Sequence, residues 1–162
     1  MSDYQQYTRL RIERTEHGVL EIALGEEGKL DALDELGHEE LSRIWVDIDR
    51  DEQIRAVLVR GLGKRFSAGG TVDLVKQLPH DHELRMRTWR EARDLVLNML
   101  DCSKPVVSAV HGPAVGAGLA VALLADISVV ARNARLIDGP PAISMHQSTK
   151  IPHFRSEAST VL

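Results

Sequence analysis

The stretch KPVVSAVHGPAVGAGLAVALLADISVV, residues 104–130, limits what this chain can fold into more than any other. Val106–Val110 is a short, largely β-branched run behind Pro105, as suits a buried strand. His111-Gly112-Pro113 ends it, because proline has no N–H to pair and glycine allows backbone angles that other residues avoid. Gly116-Ala117-Gly118 then leads into strong helix formers from Leu119 to Ala125, and Asp126 closes them before a second strand, Ile127–Val130. A helix opening from a glycine turn leaves its first N–H groups without intrahelical partners, at the positive end of the helix dipole. Such a turn suits a developing negative charge. On spacing alone, an ordinary buried βαβ unit fits equally well. Two other readings fail. Gly112-Pro113 splits the uncharged run, and neither piece approaches the ~20 residues of a membrane span. Glycines at 112, 116 and 118 do not make the G-x-G-x-x-G dinucleotide fingerprint.

Upstream, Leu10 and Ile12 alternate with charges, Glu16-His17-Gly18 makes a turn, and Val19, Leu20, Ile22 and Leu24 follow, which predicts two strands. Residues 25–31 form a loop. From Leu33 the spacing predicts a helix with Leu33, Leu36, Leu41, Ile44, Trp45 and Ile48 on one face and Glu39, Glu40, Arg43 and Asp47 in solvent. Ile54–Arg60 is continuous enough for a buried parallel strand. GLGKRFSAGG, residues 61–70, follows directly. Its four glycines let the backbone approach a ligand closely, although a plain strand-to-helix connection has the same composition. No Walker pattern runs through it. Val72–Leu78 is a short helix ended by Pro79. Residues 81–101 form a longer one, with Leu84, Trp89, Ala92, Val96, Met99 and Leu100 toward the core.

Strands alternating with helix-length crossovers predict an α/β domain with a mainly parallel sheet. Ligands in such sheets sit beyond the carboxyl ends of the strands, where both glycine loops, 61–70 and 111–118, leave. That placement would allow two backbone N–H donors to converge on one acceptor oxygen.

Composition narrows the partners. A chain of 162 residues with net charge −4 offers no basic face for nucleic acid or an anionic membrane, and 4% aromatics make no base-stacking platform. Cys102 has no second cysteine to pair with, which fits a reducing compartment, and its helical surroundings suit a packed thiol rather than a nucleophile. The polar N-terminus, MSDYQQYTRLRIER, has no apolar signal core, so the cytoplasm is expected.

GKRFSAGG followed by the 104–130 segment resembles the enoyl-CoA hydratase/isomerase (crotonase) family. The first matches the family's F-S-A-G-G loop. The second matches its K-P-V-(I/V)-A-A-V-x-G-x-A-x-G-(A/G)-G segment and the alanine- and leucine-rich helix behind it. Gly28-Lys29-Leu30-Asp31-Ala32-Leu33 resembles its N-A-L loop, with Asp31 in place of the usual Asn. The resemblance covers about residues 8–138. It implies a crotonase-like ββα spiral, acyl-CoA thioester substrates, no cofactor beyond the coenzyme A of the substrate, and a trimer-based homo-oligomer. It also implies an oxyanion hole made by the N–H groups of Gly70 and Ala117. Around it, the Ala68 carbonyl, Val72 and Gly116 would line the substrate site, and Lys29 would meet the coenzyme A phosphates. A thioester carbonyl gains charge as an enolate forms, and fixed donors favour that state over the ground state.

The departures fall on the proton-transfer groups. The two positions where hydratases of this family carry catalytic glutamates are matched by Ala120 and, at about the right place, Pro140; neither can move a proton. Asp126 matches a position read as structural, which leaves Asp138 as the acid/base candidate. Thr71 and Asp73 stand where the family ends its loop G-G-D-L, so the aspartate comes two positions late. Residues 1–139 read as the acyl-CoA-binding core. Residues 140–162, with three prolines in PPAISMHQSTKIPHFRSEASTVL, read as an irregular tail without resemblance. His146 and His153 there have no spacing that suggests a metal site. The family's C-terminal helical segment is missing from this sequence, as a frameshift, alternative splice or premature stop would produce, and uncovered apolar surface is expected to promote aggregation. The expected activity is hydration of a trans-2-enoyl-CoA or a related reaction. The alternative is a catalytically silent chain that binds acyl-CoA or joins an oligomer as a partner.

Overall fold

Leu20 and Ile22 alternate with less buried residues, as do Val57 and Val59 and then Val106 and Val110, so three strands present one apolar face to the same side. The computed structural model describes residues 4–25 and 32–138. After a 3₁₀ turn at Tyr4–Gln6, the elements are β1 (Arg11–Arg14), β2 (Val19–Leu24), α1 (Glu35–Arg50), β3 (Ala56–Gly61), β4 (Ser67–Ala68), α2 (Val72–Gln77), α3 (His82–Asp101), β5 (Val106–Val110), β6 (Ala114–Val115), α4 (Ala117–Leu124), β7 (Ile127–Val130) and β8 (Leu136–Ile137).

The main sheet has the order β1-β2-β3-β5-β7. Only the β1–β2 hairpin is antiparallel; the other pairings are parallel. The chain is thus the mixed α/β domain that the alternation predicts. A second sheet, β4-β6-β8, is parallel throughout. Its two-residue strands are too short to leave a periodic signal, and the sequence does not announce them.

Leu41, Ile44, Trp45 and Ile48 of α1 are fully buried with Leu20, Ile22, Val57 and Val59 of the sheet. Each such side chain contributes about 1.5–3 kcal/mol on leaving water. Asp34 caps α1, accepting the Gly37 N–H at 2.8 Å, so the helix begins at Glu35 and Leu33 stays extended. Asp126 ties the end of α4 to β5 by accepting the Val106 N–H at 2.7 Å, the structural role expected of it.

The structure corrects several burial expectations. Glu40 is buried instead of solvated, because its carboxylate accepts the N–H groups of Thr8, Arg9 and Leu10 and so anchors the segment before β1. On α3, Leu84, Leu95 and Met99 are buried, whereas Trp89 is 71% exposed and Ala92 and Leu100 also face solvent. Leu36 of α1 is also exposed. The α1–α3 seam is partly polar: His38 meets Glu91 at 2.7 Å, and Asn98 donates to the Ser42 carbonyl at 2.9 Å. Counting apolar residues alone therefore rotates the predicted face of α3. Among the described residues, no helix is long and apolar enough to cross a membrane.

Candidate functional site

The small sheet brings the two glycine loops side by side. In its register Ser67, Ala114 and Leu136 form one rung, and Ala68, Val115 and Ile137 the next. Continuing each strand by one residue sets Gly69, Gly116 and Asp138 at the same carboxyl end. The approach is close. A Cβ on Gly116 would lie 3.5 Å from the Gly69 Cα, and both glycines have positive φ, +58° and +80°. The Phe66 and Ser67 N–H groups donate to the Pro113 carbonyl at 2.9 and 3.1 Å, which locks the loops together.

Leu33 sets the direction of the first donor. Its N–H donates to the Gly69 carbonyl at 2.8 Å and its carbonyl accepts the Thr71 N–H at 2.9 Å, forming a parallel bridge opposite Gly70. Across the trans peptide that joins Gly69 to Gly70, the N–H lies opposite the carbonyl, so the Gly70 N–H turns away from Leu33. Gly116 precedes α4 and carries no side chain to cap it, so the Ala117 N–H is the first of the donors that the helix leaves open. Ala120 lies one turn in, its N–H bound to the Gly116 carbonyl at 3.0 Å and its methyl packed against the core.

An open cleft of about 1100 Å³ lies beside these loops. Ala68, Gly70, Val72, Val115 and Ile137 line it. Gly116 and Ala117 follow Val115 but are not among the lining residues, and neither is Asp138, which is exposed. Arg9, Arg11 and Arg65 line the wall together with Asp34 and Asp73; Arg9 pairs with Asp34 and Arg11 with Glu13. Lys29, Pro140, His146 and His153 lie outside the described residues. Among the described residues, no group of three His, Cys, Asp or Glu side chains is placed to hold a metal ion.

Two cleft features escape the sequence reading. Thr71 caps α2, its hydroxyl oxygen accepting the Leu74 N–H at 3.3 Å, and Asp73 lines the cleft from the first turn of that helix. A threonine ahead of a short apolar run is a cap signal that could have located the first. Cys102 is half-buried, and burial pushes its thiol up, as fits a packed thiol.

A sequence profile of the enoyl-CoA hydratase/isomerase family matches residues 14–143. The chain belongs to the enoyl-CoA hydratase/isomerase family. Among curated relatives it is 32% identical over 131 residues to the 1,2-epoxyphenylacetyl-CoA isomerase of Escherichia coli, covering 78% of this chain and 49% of that protein. It is 30% identical to the mitochondrial Delta(3,5)-Delta(2,4)-dienoyl-CoA isomerase of Homo sapiens, over 79% of this chain and 42% of that one. The crystal structure of an enoyl-CoA hydratase/isomerase from Mycobacterium paratuberculosis superimposes with a TM-score of 0.76 at 38% identity, covering 81% of this chain and 52% of the other. This family member has the crotonase-type fold of its structural neighbours and spans about half the length of the relatives it matches.

Proposed function

We propose that this chain binds acyl-CoA thioesters and holds the thioester carbonyl on the N–H groups of Gly70 and Ala117. Charge developing on that oxygen as an enolate forms would meet two fixed donors, each worth about 3 kcal/mol of barrier. The observation that carries this reading is the rung order of β4 and β6. With Ser67 beside Ala114 and Ala68 beside Val115, the two loops leave the small sheet next to each other, which supports pairing the N–H of Gly70 with that of Ala117. Hydration of a trans-2-enoyl-CoA, or an isomerisation through the same enolate, fits such a site. Ala68, Val72 and Gly116 would frame the thioester. The guanidinium groups of Arg9, Arg11 and Arg65 on the cleft wall, with Lys29, would meet the phosphates of coenzyme A. Asp138, just past the end of β8, is one carboxylate available for proton transfer.

Ala120 favours a second reading. A methyl at that place in α4 transfers no proton, so the chain would bind acyl-CoA, or join family members in an oligomer, without turnover.

Calorimetric titration of the folded 162-residue chain with butyryl-CoA tests the binding claim. Saturable heat is expected, at least about tenfold stronger than with free coenzyme A, a difference of 1.4 kcal/mol. A folded sample that gives no saturable heat defeats the proposal. Crotonyl-CoA hydration, followed at the thioester absorbance, then separates turnover from silent binding.

A further inference from the structure

We infer that Asp73 is the carboxylate that exchanges a proton with the α-carbon of the bound thioester; this rests on the acyl-CoA reading above. Two carboxylates line the cleft among the described residues, Asp34 and Asp73. No histidine, glutamate, cysteine or tyrosine joins them there. Both oxygens of Asp34 are committed, one to the Gly37 N–H at 2.8 Å and the other to Arg9 Nε at 2.7 Å. Burial works against its charge, but these partners outweigh it and hold the carboxyl below the usual range. A carboxylate held in that way is a poor proton acceptor.

Asp73 is placed differently. No hydrogen bond or ion pair ties its side chain among the described residues, and it is exposed to the cleft. The late position of this aspartate has a structural consequence. Thr71 supplies the oxygen that caps α2, so the carboxylate is not consumed by the helix N–H groups. Asp73 follows Gly70 by three residues, on the same connection. The donor that would polarise the carbonyl and the base that would take the neighbouring proton therefore move together.

The chemistry balances without a further reactant. The carboxylate takes the α-proton, the C–H electron pair becomes the enolate double bond, and the carbonyl π pair moves onto the oxygen held by the two N–H groups. Return of a proton from Asp73 restores the thioester, and no redox change occurs. Because Asp73 is open to solvent, its proton equilibrates with water between the two steps.

Butyryl-CoA incubated with the full chain in D₂O reads this directly, as loss of the α-proton resonance, with calorimetric affinity measured in parallel. The wild-type chain is expected to exchange above the protein-free rate. Asp73→Asn should keep affinity within about threefold and lose exchange by at least ~100-fold, the usual scale of general-base catalysis. Undiminished exchange in Asp73→Asn overturns the inference, as does wild-type binding with no exchange at all. Absence of binding overturns it together with the acyl-CoA reading, an outcome distinct from binding without exchange.

Discussion

Gly118 of α4 lies flat against Ser67 of β4, so that a methyl group on Gly118 would overlap the Ser67 Cβ. The contact sets how closely the helix start approaches the strand that leads to Gly70. Gly118→Ala should gain up to ~1 kcal/mol of helix propensity but lose more to overpacking, which costs about 1–3 kcal/mol. It should also push the Ala117 N–H out of line. The expected result is a lower urea midpoint and weaker butyryl-CoA binding together. Adding Ser67→Gly should restore both, because it removes the atom in the way. If the double variant behaves as the sum of its parts, the contact does not position α4.

Position 70 separates the backbone donor from the space around it. A Cβ on Gly70 would make ordinary contacts, 3.5 Å to Leu74 Cδ2 and 3.6 Å to Val75 Cγ2, and Gly70 is not among the glycines with positive φ. Gly70→Ala should therefore fold and keep activity within a few-fold. Gly70→Pro deletes the N–H. A loss of ~10²–10³ in turnover is expected for the proline variant alone, the scale of one missing oxyanion donor. Equal losses in both variants would show that bulk, and not the donor, matters there.

How far the site is legible in the sequence follows from what kind of signal each part leaves. Val106–Val110 announces itself, since a short β-branched run behind a proline has few other uses, and the structure has that strand at the same residues. Gly116 and Gly118 mark the turn and the close helix approach. The rung that aligns Ala68, Val115 and Ile137 leaves no trace, because two-residue strands carry no period. Glu40 misleads for a different reason. A carboxylate on a helix reads as solvated, yet three backbone N–H groups from Thr8, Arg9 and Leu10 make its burial favourable. Trp89 misleads in the opposite sense, since the seam between α1 and α3 is partly polar and leaves the indole outside.

Asp34 gives a pH dependence whose sign can be worked out. Its folded-state carboxyl is held below the ordinary value, by the Gly37 N–H and Arg9 acting against burial. The stability due to its charge is therefore fully present above about pH 3.9, the unfolded value, and is lost as the pH falls through the lower folded value. Asp34→Asn keeps a capping oxygen but loses the pairing with Arg9. Because both partners of that pair are more than 40% exposed, solvent screens it, and the expected deficit at pH 7 is at most about 1 kcal/mol. The gap between wild type and Asp34→Asn in urea midpoints should close as the pH approaches 3. A gap that stays constant to that pH would assign it to capping geometry and not to charge.

β7 leaves an uncharged strand edge. It ends the main sheet opposite β1, and all four of its residues are exposed, Ile127 at 59% and Val129 at 61%. The two edges differ in chemistry. β1 carries Arg11, Glu13 and Arg14, charges that discourage strand addition, whereas Ile127–Val130 has none. Edge pairing between copies should make the sedimentation coefficient of the 162-residue chain rise with concentration. Val129→Lys should suppress that rise with little loss of stability, because the side chain it replaces already faces solvent. A wild-type chain that sediments as one monomeric species at every concentration would mean that the β7 edge is covered in solution. In that case Val129→Lys should instead lower the urea midpoint, since the charge would then have to be buried.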